Sequence, residues 1–501
     1  MKTLEQIYKE KITGVLSCYD RLIFTGTLMK ISYAKGMTGY MYANGIRIFD
    51  YPKFAEPFKE LIRSNAERIA NENRIKIEFV RKSHIRKEDL VKAVLEKRGY
   101  HPGLVHILSA MEACPSYQPW HDKTTGKTFL RGSQSKCLHY YFYFIDDYLG
   151  LCYFRVPTWC PFRLQVYLNG HNILKGELEK ADIQYKMIDN AFDSISDWEK
   201  AQELSNEICV KKIHQTLDRY AGIFCPVSKS FNETYHWSIM QAEYATDIVF
   251  KKQEDLGDIY EELIATAIHV VKPENIATFL GRKLDSRYEG EVGNNYHVRI
   301  EGARIKHSMG QNAIKMYDKF KKILRIETTT NDVSFFKHYR EVVHRDGSCS
   351  KKMTGLKKNI YSLPLLQGSL KSSNKRYLEF ISAIDNKSAG RKRLEKISQT
   401  KIINQRKYKG FNMFSKNDLN LLLTVLRGEF NISGFKNKDI RNLLPHLSSS
   451  QVSRLLRRLR SHGLIKRARN TYKYYVTKLA KETILLGEKL KEIVMIPALN
   501  Y

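Results

Sequence analysis

The stretch from Ser448 to Gly463, "SSSQVSRLLRRLRSHG", leaves this chain the least choice of conformation. Val452, Leu455, Leu456 and Leu459 recur at i, i+3, i+4 and i+7, the spacing of one helix face. Serines precede them as N-terminal caps, and Gly463 follows as a stop. Upstream, "FSKNDLNLLLTVLRGEF" pairs Ser415 with Asp418 three residues later, a capping-box pattern. An apolar face of Leu419, Leu422, Leu423 and Leu426 follows it. "NKDIRNLLP" predicts a short helix that stops at Pro445. "LIKRARNTYKYYVTK" predicts two short strands turning near Asn470 and Thr471.

Helix, helix, turn, helix and a two-stranded wing is an order that resembles the winged helix-turn-helix family. The resemblance implies a DNA-binding domain. The polar side of the third helix carries Ser450, Gln451, Ser453, Arg454, Arg457, Arg458 and Arg460, and the wing adds Lys466, Arg467, Arg469 and Lys473. Between residues 454 and 478 there are nine Lys or Arg and no acid. Base edges are read by short polar groups and arginines, and phosphates are gripped by cations. These residues are therefore the candidate DNA contacts.

Net charge supports the same expectation. Eighty-four Lys and Arg against fifty-three Asp and Glu leave a formal charge of +31, which favours a polyanionic partner, nucleic acid (DNA, with RNA as a further partner) first and an acidic membrane surface second. Aromatic residues among basic ones, as in "CLHYYFYF" and "NTYKYYVTK", suit either stacking on single-stranded bases or packing in a core. No apolar run reaches the roughly 18 residues of a membrane span, so a membrane partner is not expected. The start, "MKTLEQIYKEKITGV", lacks the apolar run of a signal peptide. The eight cysteines form no C-x-x-C pair, so reduced thiols and a cytoplasmic, nucleoid-associated protein are expected.

The pattern of elements predicts an α+β, multi-domain chain. An N-terminal α/β domain over 1–130 precedes a central α+β domain over 131–350, built on a mixed or antiparallel sheet with helices. A basic connector follows over 351–410, and its first part, 351–376, holds seven Lys or Arg and no acid. The winged domain occupies 411–490.

The central domain holds the candidate catalytic acids. "NAIKMYDKFKKILRIETTTND" reads as two strands about a lysine-rich turn, with Asp318 on the first and Glu327 on the second. An even-numbered turn would set Met316, Asp318, Arg325 and Glu327 on one face, with Lys315, Tyr317, Leu324 and Ile326 on the other. A second set begins at Asp146, where "YYFYFIDDYLG" ends an aromatic strand, and continues to Asp189 in "MIDNAF". "HWSIMQAEYATDIVF" reads as a helix aligning His236, Met240, Glu243 and Asp247, with a cation between the last two acids. Clustered carboxylates hold Mg²⁺ or Mn²⁺, and the ion stabilises the attacking and leaving oxygens of a phosphodiester. Asp146, Asp318 and Glu327 are the candidate ligands. Asp146, Asp189, Glu243, Asp318 and Glu327 are the candidate catalytic residues.

These acids carry three resemblances. An acid ending the first strand, another ending the fourth and a third on a later helix is an arrangement similar to ribonuclease H-like nucleases and transposases. "YDK" followed by "LRIE" resembles the strand pair of rolling-circle replication initiators, in which an acid on each strand lies near the active site. More broadly, "FLGRKL", "YEGEVG", "IEGARIKH", "IKMYDKF" and "LRIETTTND", with "HYYFYFID" and "QAEYATDIVF" upstream, resemble a widespread family of uncharacterised bacterial proteins. That resemblance implies a mobile-element setting. The expected function is a metal-dependent DNA nuclease or strand transferase. The alternatives are a non-catalytic DNA-binding regulator and an RNA-bound or RNA-guided effector.

Overall fold

The computed structural model describes residues 4–82, 84–284, 288–299, 302–344, 346–382, 394–428, 430, 434–468 and 471–489. The chain mixes α and β structure around a large mixed sheet. It divides into two compact units. One comprises residues 17–244 and 330–367, and the other 1–16, 245–329 and 368–501. No helix among the described residues is long and apolar enough to cross a membrane.

In the first unit, β1 (Ile12–Thr27), β2 (Glu78–Phe79), β3 (Gly103–Asp122), β4 (Lys127–Asp146), β5 (Gly150–Pro157) and β6 (Leu164–Asn169) lie in the spatial order β1-β6-β5-β4-β3-β2. Only the β2–β3 pair is parallel. A tight turn joins β4 to β5, with Asp146 ending β4 and Gly150 opening β5 at a φ of +66°. Glycine adopts that left-handed conformation without the Cβ clash other residues meet.

Helix Lys87–Arg98 covers one face of these strands, packing Val91 against Val105, Leu108, Tyr141, Tyr143 and Ile145. On the other face, helix Val210–Phe224 stacks Phe224 on Phe142 at 4.5 Å. The run Tyr140 to Phe144 is at most 7% exposed throughout, so those aromatics are core and offer no base-stacking surface. At about 25 cal/mol per Å², each buried ring contributes several kcal/mol of gross stabilisation. Next come β7 (Tyr185–Ile188) and β8 (Ala191–Ile195), a small antiparallel hairpin.

The segment expected as a helix at 236–250 is β9 (His236–Phe250), beside β1. Its residues from Ala242 to Phe250 are all buried. A run buried on both sides shows no period of two, so apolar spacing cannot distinguish it from a helix. Tyr, Thr, Ile, Val and Phe make up five of its nine residues, and packing against neighbouring strands settles it as β.

The second unit takes up β9 at Ala245 and adds β10 (Val292–Arg299), β11 (Gly302–Met309), β12 (Asn312–Lys319) and β13 (Ile323–Thr330), in the order β9-β13-β12-β11-β10. The first unit also holds a separate hairpin, β14 (Lys337–Val343) with β15 (Cys349–Gly355). In the second unit, β16 (Lys401–Ile403) pairs with β17 (Arg406–Tyr408).

Helices Lys416–Leu426, Asn437–Leu443, Ser449–Ser461 and Lys478–Lys489 follow, with β18 (Ile465–Arg467) and β19 (Tyr474–Val476) between the last two. The third carries a capping box in which Ser448 and Gln451 exchange bonds, and it buries Val452, Leu456 and Leu459. These join Leu419, Leu422, Phe435, Ile440, Leu464 and Ile484 in one core cluster.

Candidate functional site

Strand β1 carries an unusual pair in its middle. In "SCYDRLIFTG" two charged residues interrupt an apolar run. Asp20 is 5% exposed, and a buried carboxylate needs partners. They come from elements far along the chain. β1 and β6 run antiparallel with Arg21 opposite Asn169, which brings the β6 exit "NGH" beside Asp20. Asn169 caps the helix that begins there, its Oδ1 accepting the His171 amide at 2.8 Å.

Its Nδ2 donates to Asp20 Oδ1 at 3.2 Å, and Asn190 Nδ2, from the β7–β8 turn, donates to the same oxygen at 2.8 Å. His171 Nδ1 lies 3.3 Å from Asp20 Oδ1 and 3.2 Å from Asn169 Oδ1. Both neighbours are acceptors, so the proton sits on Nδ1. Gly170 is required for this approach, because a Cβ there would meet the Tyr19 carbonyl oxygen at 2.3 Å.

Glu243 enters from β9 and is 8% exposed. A carboxylate oxygen of Glu243 lies within 4.8 Å of one of Asp20. Arg21 reaches Glu243 at 3.9 Å, packs over the Tyr167 ring at 5.6 Å and leaves about half its side chain in solvent. Burial works against the guanidinium charge, but Glu243, Tyr167 and Asp20 outweigh it and hold the Arg21 pKa above its ordinary value. The arrangement is thus two buried acids with a half-exposed cation at their edge. Two metal–oxygen bonds of about 2.1–2.5 Å span such a separation, so Asp20 and Glu243 have the reach to share one divalent ion.

Three of the expected acids, Asp146, Asp189 and Asp318, sit elsewhere. Asp146 Oδ1 accepts the amides of Tyr148 and Leu149, and its Oδ2 accepts from Arg219 at 2.7 Å and Tyr220 at 2.9 Å. That is a turn cap saturated by protein donors. Asp189 occupies the β7–β8 turn at a φ of +52°. Neither of them, nor Asp318, belongs to a cluster of three candidate metal ligands among the described residues.

The hairpin reading of 312–332 is corrected in its parity. Strands β12 and β13 are joined by three residues, Phe320 to Lys322, with φ of +59° and +58° at the first two. An odd turn flips one strand relative to the other. Glu327 therefore meets Lys315 Nζ at 2.6 Å and Tyr317 Oη at 2.8 Å, on the face opposite to Asp318. The backbone amide of Asp318 donates to Tyr260 Oη at 2.8 Å. The cation expected beside Asp247 is a protein group, the Arg325 guanidinium.

In the C-terminal helix Ser449–Ser461, Ser450, Gln451, Arg454, Arg457 and Arg460 are exposed, as are Lys466 and Arg467 on β18. Ser453 is half-buried and accepts from Asn437, and Lys473 is half-buried beside the Tyr475 ring. Arg469 lies outside the described residues. Arg458 departs from the expected role. Both its terminal nitrogens bind Asp418 at 2.7 and 2.8 Å, its Nε donates to the Lys409 carbonyl, and its guanidinium lies 3.9 Å from the centre of the Phe411 ring. It clamps the helix to the preceding segment.

Asp20 is the residue that reading the chain in order passes over. Its signal is an acid and an arginine inside a strand otherwise built from core residues, with an Asn-Gly-His at the end of another strand. No protein-family model, curated protein or solved structure matches the chain, so the case for this site rests on its own geometry.

Proposed function

We propose that this protein is a nucleic-acid-binding enzyme that cuts or transfers DNA strands, with Mg²⁺ or Mn²⁺ held at Asp20 and Glu243. Residues 411–490 act as a winged helix-turn-helix that brings DNA to it. The mobile-element setting implied by the family resemblance is part of the same proposal.

The observation that carries the reading is the division of helix Ser449–Ser461 into two faces. Val452, Leu456 and Leu459 are buried, while Arg454, Arg457 and Arg460 are exposed with no acid on that helix. An isolated antiparallel bridge also pairs Phe435 with Tyr474 of the β18–β19 hairpin. Cations along one helix face meet phosphates spaced along a groove. At the acids, a bound divalent ion supplies Lewis-acid stabilisation of a phosphodiester's oxygens. The chain's own part is to hold Asp20 in place through Asn169, Asn190 and His171, and to offer Arg21 to a phosphate at the solvent edge.

The Arg21–Glu243 contact favours a second reading, because it balances one of the acids with no ion. The protein would then be a non-catalytic DNA-binding regulator.

The test is to titrate labelled single- and double-stranded DNA with the full-length protein, with and without Mn²⁺. Cleavage lost in both Asp20→Asn and Glu243→Gln, with binding retained, supports the enzyme. Binding without cleavage supports the regulator. Absence of DNA binding at low salt rejects both.

A further inference from the structure

The hairpin β14–β15 belongs to none of the sites above. Residues 337–358 hold seven Lys or Arg and two acids. At its base the chain is anchored: Phe336 and Leu356 are buried, and the Leu356 amide donates to the Phe336 carbonyl at 2.9 Å. Beyond that base the ribbon is unusually bare. The first five residues of β15, Cys349 to Met353, are all exposed, and so are Lys337, His338, Tyr339 and Glu341 on β14. A two-stranded ribbon with solvent on both faces has almost no core to hold it, so its composition is free of packing demands.

That composition is one-sided. Arg340 stands directly opposite Lys352. Like charges at opposed positions destabilise an antiparallel pair, and only Lys351, opposite Glu341, has an acid across the ladder. Arg340 Nε is buried and lacks a hydrogen-bond partner, an unusual state for a guanidinium donor. On the other face Tyr339 and Met353 oppose each other at 59% and 58% exposure, an apolar pair flanked by Lys337 on one side and the Glu341–Lys351 pair on the other.

We propose that the β14–β15 ribbon is a second DNA-binding element, an arm that enters a duplex groove. Arg340 and Lys352 contact phosphates on one face, and Lys337 and Lys351 do so beside the Tyr339–Met353 pair on the other. A two-stranded ribbon fits the major groove, about 12 Å wide. A bound phosphate relieves the Arg340–Lys352 repulsion. The inference rests on the nucleic-acid reading above but assigns binding to a different part of the chain.

The experiment uses the full-length protein and a labelled 30-base-pair duplex, with affinity measured by anisotropy across a salt series. Two variants are compared with wild type: Lys337, Arg340, Lys351 and Lys352 all to Ala, and Arg454, Arg457 and Arg460 all to Ala. The expected result is that the arm variant binds more weakly and its log–log salt slope falls by about three to four, one for each phosphate it no longer grips. Its thermal unfolding should match wild type, because the substituted side chains are exposed or half-exposed. Tyr339→Ser with Met353→Ser should weaken binding and leave the slope unchanged, since that pair carries no charge.

If wild type and the helix variant bind as expected but the arm variant keeps wild-type affinity and slope, the arm is overturned and the functional reading stands. If wild type binds no nucleic acid, the functional reading falls, and the arm with it. Arm-dependent binding to phosphatidylserine vesicles with no arm-dependent binding to duplex would also overturn it.

Discussion

The Arg325 guanidinium grips Asp247 through two hydrogen bonds of 2.6 Å, Nε to Oδ1 and Nη2 to Oδ2, with Arg325 fully buried and Asp247 3% exposed. This bidentate pair links β13 to β9 inside their unit. Removing one partner strands the other charge in the core. Asp247→Asn or Arg325→Leu should each destabilise the fold by roughly 3–5 kcal/mol. Arg325→Lys should recover only part of this, because an ammonium cannot bond both oxygens in one plane. Urea unfolding of the three variants checks the order. A loss below about 1 kcal/mol in Asp247→Asn would show that the pair is neutral to stability.

Asp20 and Glu243 should behave as a metal-dependent unit. Mn²⁺ should raise the melting temperature of wild type and leave Asp20→Asn and Glu243→Gln unmoved. Without metal, each neutral variant should melt at or above wild type, because it relieves repulsion between two buried acids. Calorimetric titration with Mn²⁺ gives the same comparison without reference to activity. Equal Mn²⁺ stabilisation of wild type and both variants would place the ion elsewhere.

Acid should act through His307. Its Nδ1 lies 2.7 Å from Asn294 Oδ1 and its Nε2 3.0 Å from Tyr377 Oη, and burial pushes its pKa down to about 3 from an ordinary 6.5. Between those values the unfolded chain binds a proton that the folded chain refuses. His307 therefore adds stability that is full above pH 6.5 and is lost as pH falls toward 3. The slope from this one group approaches about 1.4 kcal/mol per pH unit. Stability curves of wild type and His307→Asn should converge as the pH is lowered through that window, and parallel curves would assign the acid sensitivity to other groups.

Gly170 should tolerate no side chain. In Gly170→Ala the new Cβ meets backbone of Tyr19, which cannot rotate away. A loss of about 1–3 kcal/mol is expected from overpacking. The shift should move His171 and Asn169 off Asp20, so Mn²⁺ stabilisation should weaken as well. Gly39, where a Cβ meets nothing within 4 Å, serves as the control.

Local structure was largely legible in the sequence. The third C-terminal helix declared itself through caps and a 3.6-residue stripe, and both its ends and its buried face match Ser449–Ser461. The β4–β5 turn was marked by Asp147 to Gly150. Such features depend on residues within a few positions of one another, which a linear reading sees directly.

What the sequence alone could not decide depends on distance along the chain and on parity. Asp20 acquires partners at 169, 171 and 190, and no spacing rule links those numbers until β1 lies against β6. Glu327 and Asp318 part company because three residues, not two, make the turn between them. Arg458 looked like its neighbours Arg454 and Arg457 until Asp418 and Phe411 came to it from another helix and its leader. The stretch 242–250 could not show its period because burial on both faces erases the alternation that marks a strand. In each case the deciding energy is a tertiary contact, and local pattern carries no record of it.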